Sequence, residues 1–387
     1  MSRSLALQER QAEAARPSGM SEDGFRMLAW TRIDIDQLQP EWARLAENAA
    51  VPNCFFEPWF LMPSLTVFDP EGDVSLAMLV EGGRLRALMP VCDSPTYHGR
   101  ALRNTSAWLH ANMFCGLPLM EPGFERAFWQ AYLAALDERE TSQLFAHLPQ
   151  MPEDCAATKA LLDVCHADGR QIRVVHREER AALNRGKSPE AHFVDAMSNK
   201  RRKELRRLRK RFDECGTPRL TRHRGEECIS EWIDTFLALE KSGWKGEQGS
   251  ALACDPQTER LFRAVISGAA KAGKLERLAL YLDDKPIAML ATFLSHPGGF
   301  AFKTAFDENY ARFSPGMMLQ VDNLALLDDP ELAWCDSCAA ADHPMIERIW
   351  RDRRSMVWLT VSAGRGWRRA IGSLWARAEA WRMERRT

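Results

Sequence analysis

The stretch Leu76 to Val91 (LAMLVEGGRLRALMPV) can be laid over Leu278 to Phe293 (LALYLDDKPIAMLATF) without a gap, and this match restricts the fold more than any other feature. In each, an apolar strand enters a short polar turn and a second apolar strand returns, which is the pattern of a β-hairpin. The turns are Glu81-Gly82-Gly83 and Asp283-Asp284-Lys285. Amphipathic helical patterns precede both hairpins. A chain of 387 residues exceeds what one core usually organises, so the repeated hairpin points to a duplicated half. The boundary is expected between a strand at Ile172 to Val175 and the polar stretch Asn184 to Glu190 (NRGKSPE). The expected division is a flexible N-terminal segment over 1–24, one domain over 25–183 and a second over 190–387.

Periodicity in the second half predicts a basic helix over 199–212, a strand near 219–223 and helices over 231–241 and 256–272. Strands follow at 277–282, 286–294 and 299–306, then a helix over 315–327, a strand at 332–336 and a helix from about Pro344. A strand at 356–361 and an amphipathic helix over 367–383 close the pattern. Hairpins interleaved with helices exclude an all-parallel sheet and leave an α/β (α+β) fold on mixed, mostly antiparallel sheets, one in each half.

No apolar run reaches the roughly 20 residues that a membrane helix needs, and the N-terminal residues show no secretory pattern, so a cytoplasmic protein is expected. The ten cysteines have no disulfide or zinc spacing, and the Cys335/Cys338 pair sits in a segment that reads as a buried strand. No metal is expected.

The segment Phe300 to Gln320 (FAFKTAFDENYARFSPGMMLQ) takes a strand through a turn into a helix. Ser314 is expected as N-cap, with Pro315 at the first helical position. Gly316, Met317 and Met318 then present amides without intrahelical acceptors, and Gly316 is expected to let a ligand approach the backbone. With the helix dipole behind it and Arg312 before it, the turn is suited to a diphosphate such as that of coenzyme A. In strict alternation Phe300, Phe302, Thr304 and Phe306 share one face of the strand, and Ala301, Lys303 and Ala305 the other. That narrow second face suits a slender ligand arm or close helix packing.

The segments KRRKELRR (200–207), SGWKG (242–246), FKTAFD (302–307), SPG (314–316) and HPMI (343–346) together resemble the CelD/BcsL-type GNAT acetyltransferases, which are related to Fem-type aminoacyltransferases with tandem GNAT-like domains. The resemblance covers roughly residues 25 to 365. It implies two tandem GNAT-like domains, acetyl-CoA or another acyl-CoA bound at the Ser314 turn, and an acceptor between the halves, in envelope polysaccharide or cellulose synthesis. It transfers no catalytic residue. The comparable N-terminal turn, Glu121-Pro122-Gly123, puts an acid where a phosphate would lie, so that half is expected to bind no cofactor.

Acyl transfer to an amine or hydroxyl needs a proton acceptor near the strand ends. Asp336 and His343 compete for the role with Asp307 and Tyr310, although capping or turn duties suit the aspartates and a surface position suits the histidine. Lys303 and Thr304 are expected beside the cofactor. Trp244 and Lys245, in a glycine-flanked loop, are expected to contact a small-molecule or saccharide acceptor, and a tryptophan plugging a groove is the plainer reading.

Lys200 to Arg211 carries nine basic residues against Glu204, a local +8 in a chain of net charge −1 that leaves −9 elsewhere. Leu205, Leu208 and Phe212 recur at i, i+3 and i+7, the pattern of a docked helix with a basic outer face. Arg202 and Arg206 are expected to meet an anionic acceptor, and the face also suits coenzyme A phosphate, a polysaccharide synthase or the inner membrane face. It suits tRNA only if the donor is an aminoacyl-tRNA, and the near-neutral total argues against DNA. A non-catalytic scaffold using the basic helix and the tryptophan-rich tail is the reading from a different functional class.

Overall fold

A computed structural model describes residues 22–139 and 143–384. The segment expected over 1–24 lies, up to residue 21, outside the described residues. The strands are β1 (Gly24–Ala29), β2 (Ser75–Glu81), β3 (Arg84–Ser94), β4 (Asn104–Ala107), β5 (Leu119–Met120), β6 (Phe145–Pro152), β7 (Ile172–Asn184), β8 (Pro218–His223), β9 (Leu275–Leu282), β10 (Lys285–Ser295), β11 (Gly298–Phe306), β12 (Trp334–Asp336) and β13 (Asp352–Ser362). The helices are α1 (Ile35–Glu47), α2 (Pro58–Phe68), α3 (Glu125–Glu138), α4 (Ala156–Ala167), α5 (Pro189–Ala196), α6 (Asn199–Asp213), α7 (Ile229–Lys241), α8 (Trp244–Glu247), α9 (Pro256–Lys271), α10 (Pro315–Asn323) and α11 (Trp367–Glu384). Among the described residues no helix is long and apolar enough to cross a membrane.

The expectation of two separate sheets is corrected. Backbone hydrogen bonds join all thirteen strands into one sheet, in the order β1-β2-β3-β4-β6-β13-β7-β12-β11-β10-β9-β8, with β5 on β3. The two matching hairpins form, with Glu81 opposite Arg84 and Leu282 opposite Lys285. They belong to a single continuous sheet because β7 runs unbroken for 13 residues through the polar stretch His176 to Arg180 and pairs with β12. The helix expected from Pro344 is only a short 3-10 turn, Ile346–Arg348.

Chain contacts define two compact units. The first holds the described parts of Met1–Pro58, Asp69–Arg177 and Val357–Thr387. Its Glu121 turn is occupied by ion pairs to Arg44 and Arg86, and helix α3 starts after it, at Glu125. The amphipathic pattern of α11 extends to Trp381, whose side chain lies outside the described residues.

The second unit holds Trp59–Phe68 and Glu178–Met356. In it α6 is started by Ser198, whose hydroxyl accepts the Arg201 N–H at 3.4 Å. Its inward residue Phe212 is fully buried with Leu278, Leu280, Ile287 and Met318, and Leu205 and Leu208 pack beside them. A second cluster joins Leu183, Ala301, Met317, Cys335 and Trp350. Cys335 and Cys338 are buried, and burial pushes both thiols well above the ordinary cysteine range. That is the behaviour of packing residues.

Candidate functional site

Strand β11 has neighbours on both sides only at its start. It pairs in parallel with β12 over Gly298, Gly299 and Phe300, opposite Trp334, Cys335 and Asp336. There β12 ends, while β11 continues to Phe306 against β10 alone. One side of Ala301–Phe306 is therefore without a strand partner among the described residues, and alternate backbone amides and carbonyls face that side. A β-bulge between the β10 residues Ala291 and Thr292, opposite Lys303 and Ala301, interrupts the alternation. This corrects the expected faces. Ala301 packs in the cluster with Met317, while Phe306 packs against the cluster that contains Met318, so residues of opposite parity both reach α10.

The turn from β11 into α10 differs from the expected serine cap. Ser314 is left-handed, at φ 58° and ψ 53°, and its hydroxyl caps nothing. Its carbonyl instead accepts the Met318 N–H at 3.1 Å, so Met318 is not a free donor. The Gly316 and Met317 amides have no acceptor among the described residues, as the first turn of a helix requires. Gly316 is needed by the protein's own packing, because a Cβ there would lie 2.9 Å from Met345 Sδ and 3.3 Å from the Phe306 ring.

Beside this turn is a cavity of about 190 Å³, lined by Met197, Arg201, Glu204, Leu205, Leu208, Ser314, Met317 and Arg348. Arg201 and Arg348 are exposed and form no ion pair among the described residues. The negative charge of Glu204 is offset by Arg207, which donates to both its oxygens at 2.9 and 2.6 Å. Arg201, Arg348 and Met317, whose amide is unused, thus line one space at a positive helix end, with the unused Gly316 amide next to Met317 in the chain, a donor set that fits a diphosphate.

A second, smaller cavity of about 30 Å³ is lined by Glu240, Gly243, Trp244, Lys245, Thr304, Ala305, Phe306 and Glu308. Buried Glu240 holds Lys245 Nζ at 2.7 Å and accepts the Leu252 N–H at 2.9 Å. Glu308 accepts the Trp244 N–H at 2.9 Å, which ties α8 to the end of β11 and leaves the Trp244 side chain 47% exposed. Burial and then the Lys245 charge lower the Lys303 ammonium to about 8. His343 is lowered too, first by burial and then by Lys245.

A family profile described as an acetyltransferase (GNAT) domain matches residues 199–343, the segment that contains α6, strand β11 and the Ser314 turn. The solved structure of FemX resembles this chain with a TM-score of 0.54 at 9% identity, covering 84% of this chain and 95% of that one. The C-terminal domain of a putative lysylphosphatidylglycerol synthetase from Agrobacterium fabrum gives 0.51 at 12%, covering 88% and 95%. A conserved protein of unknown function from Bacteroides thetaiotaomicron gives 0.50 at 11%, covering 88% and 99%. Comparison with curated proteins gives no match. Residues 199–343 therefore match a GNAT acetyltransferase domain, and the chain as a whole shares its fold with FemX. The GNAT profile supports transferase chemistry with an acyl-CoA-type co-substrate.

The remaining candidates each make contacts within the protein. Asp336 is 1% exposed, accepts the Cys338 N–H at 2.8 Å through Oδ1, and has Arg180 and Arg354 at 3.6 and 3.7 Å from Oδ2. Asp307 caps the turn after β11, accepting the Asn309 N–H at 2.9 Å, and pairs with Lys285 at 2.6 Å. Those contacts hold its carboxyl below the usual range against the cost of burial. Tyr310 packs against Phe212 and Phe313. His343 Nδ1 accepts two long bonds, 3.4 Å each, from the Met345 and Ile346 amides.

The basic candidates are distributed differently from the expectation. Arg202 turns away, donating to the Met197 carbonyl at 3.0 Å and to Asn199, Arg206 lies exposed, and Arg312 stacks on Phe313 at 4.7 Å. Arg201 is the α6 residue that reaches the larger cavity, and a signal for it existed, since it stands at i relative to Leu205 and Leu208 at i+4 and i+7. Glu240 likewise follows Ile233, Phe236 and Leu237 on the apolar stripe of α7. For Arg348, on an irregular turn, no periodic signal exists.

Proposed function

We propose that this protein transfers an acyl group from an acyl-CoA to an amine or hydroxyl acceptor. The observation that carries the proposal is that Arg201, Arg348 and Met317, whose amide is unused, line one cavity at the start of α10, the helix that follows β11 in the chain. These groups bind the diphosphate, and the backbone of Ala301–Phe306 orients the arm by strand-like hydrogen bonds. When bound, the co-substrate supplies a carbonyl activated as a thioester. Lys303, on the same strand, holds or releases a proton at Nζ near neutral pH because its ammonium is lowered to about 8.

The finer reading is an acetyl donor and a saccharide acceptor in polysaccharide synthesis. The resemblance of the SGWKG, FKTAFD and HPMI segments to CelD/BcsL-type enzymes supports it, as does the exposed Trp244 ring beside Lys245, a combination suited to stacking on a sugar.

Calorimetric titration with acetyl-CoA and with CoA tests the donor site. Binding that is lost in R201E/R348E, with the unfolding midpoint retained, is expected. Indifference of the wild-type chain to millimolar CoA would overturn the assignment.

A further inference from the structure

The second unit carries a cationic face that donor binding does not use. Helix α6 turns Leu205, Leu208 and Phe212 inward, so Lys203, Arg206 and Lys210, at i, i+3 and i+7, form a stripe on its opposite side. Lys200 and Arg211 flank that stripe. All five are exposed and form no ion pair among the described residues, whereas Arg207 and Arg209 of the same helix are matched by Glu204 and Asp322. The rest of the chain carries net −9, so acidic partners were available to this face and it lacks them.

Two exposed aliphatic side chains border the helix. Val194, 50% exposed, precedes it in α5, and its carbonyl accepts a bond from Arg202. Leu220, 42% exposed, lies on the edge strand β8 directly opposite Leu280, which belongs to the same core cluster as Phe212. Directly paired residues share a sheet face, so Leu220 projects on the α6 side.

We propose that the outward face of α6 docks on a bilayer surface rich in anionic phosphodiester headgroups. A straight cationic helix of about 22 Å bordered by aliphatic side chains matches a plane of negative charge over an acyl boundary. Single-stranded RNA recognition instead uses exposed rings on which bases stack, and the large apolar side chains exposed next to α6 are aliphatic. The proposal is independent of the acyl-CoA assignment.

The test is flotation of the full chain with phosphatidylcholine vesicles, alone or carrying about 30% phosphatidylglycerol. Binding only to the anionic vesicles is expected, weakened by salt and reduced about a hundredfold in K203E/R206E/K210E. Circular dichroism and the unfolding midpoint verify that this variant folds. V194S should weaken vesicle binding while leaving binding to heparin unchanged. Equal binding to both vesicle types, or no vesicle binding, would overturn the proposal. Vesicle indifference combined with tRNA binding that is lost in the triple variant would overturn it in favour of RNA.

Discussion

Arg180 Nη1 lies 3.6 Å from Asp336 Oδ2, with the arginine side chain 3% and the aspartate 1% exposed. The same guanidinium reaches Glu178 through Nε at 2.7 Å, and Arg354 approaches Asp336 from the ring face of Trp334. A carboxylate surrounded in this way anchors the end of β12, and the end of β12 is where β11 loses its neighbour. Asp336→Asn leaves a buried guanidinium short of charge and is expected to destabilise by about 3 kcal/mol. Urea unfolding followed by circular dichroism reads this as a lowered midpoint.

Lys303 gives a pH dependence with a definite sign. Its folded-state value of about 8 lies below the ordinary 10.5, so between those values the unfolded chain holds the proton more tightly. Stability from this group therefore rises with pH through that window, and the full penalty is present below it. Lys303→Met is expected to raise the urea midpoint near neutral pH, with the gain shrinking as pH climbs towards 10. A gain that stays constant with pH would place the effect in packing.

The diphosphate contacts separate into charge and backbone contributions. Arg201→Ala and Arg348→Ala are each expected to weaken CoA binding about tenfold, the usual range for a charge-assisted hydrogen bond. Titration calorimetry at two salt concentrations should show both variants less sensitive to salt than the parent.

Hairpins and helices were legible because alternation of period two and amphipathy of period 3.6 are written in residues such as Leu278 to Phe293 and Leu205, Leu208 and Phe212. Sheet continuity was not legible. Alternation says which way a side chain points and nothing about which edge meets which, and the strand expected at Ile172 to Val175 runs on through the polar residues His176 to Arg180 as far as Asn184. The site divides in the same way. The Ser314-Pro315-Gly316 turn was visible as a helix start, and Lys303 as the one charge among small residues. The choice of Arg201 over Arg202 depends on 100° of helical rotation, and the arrival of Arg348 depends on a tertiary turn.

Ser314 ties local conformation to ligand binding. Its left-handed backbone costs a residue with a Cβ about 1 kcal/mol, and its hydroxyl recovers nothing by capping. Ser314→Gly is thus expected to stabilise the fold by about that amount, and Ser314→Val to destabilise it, since a β-branched residue tolerates positive φ least. Ser314 also lines the larger cavity, so the glycine variant distinguishes two ways of holding a diphosphate. If the Gly316 and Met317 amides do the holding, CoA affinity in Ser314→Gly stays within about threefold of the parent while the unfolding midpoint rises. A loss of about tenfold with the same rise would transfer that role to the serine side chain, because the left-handed turn suits glycine and the substitution removes only the CH2OH group.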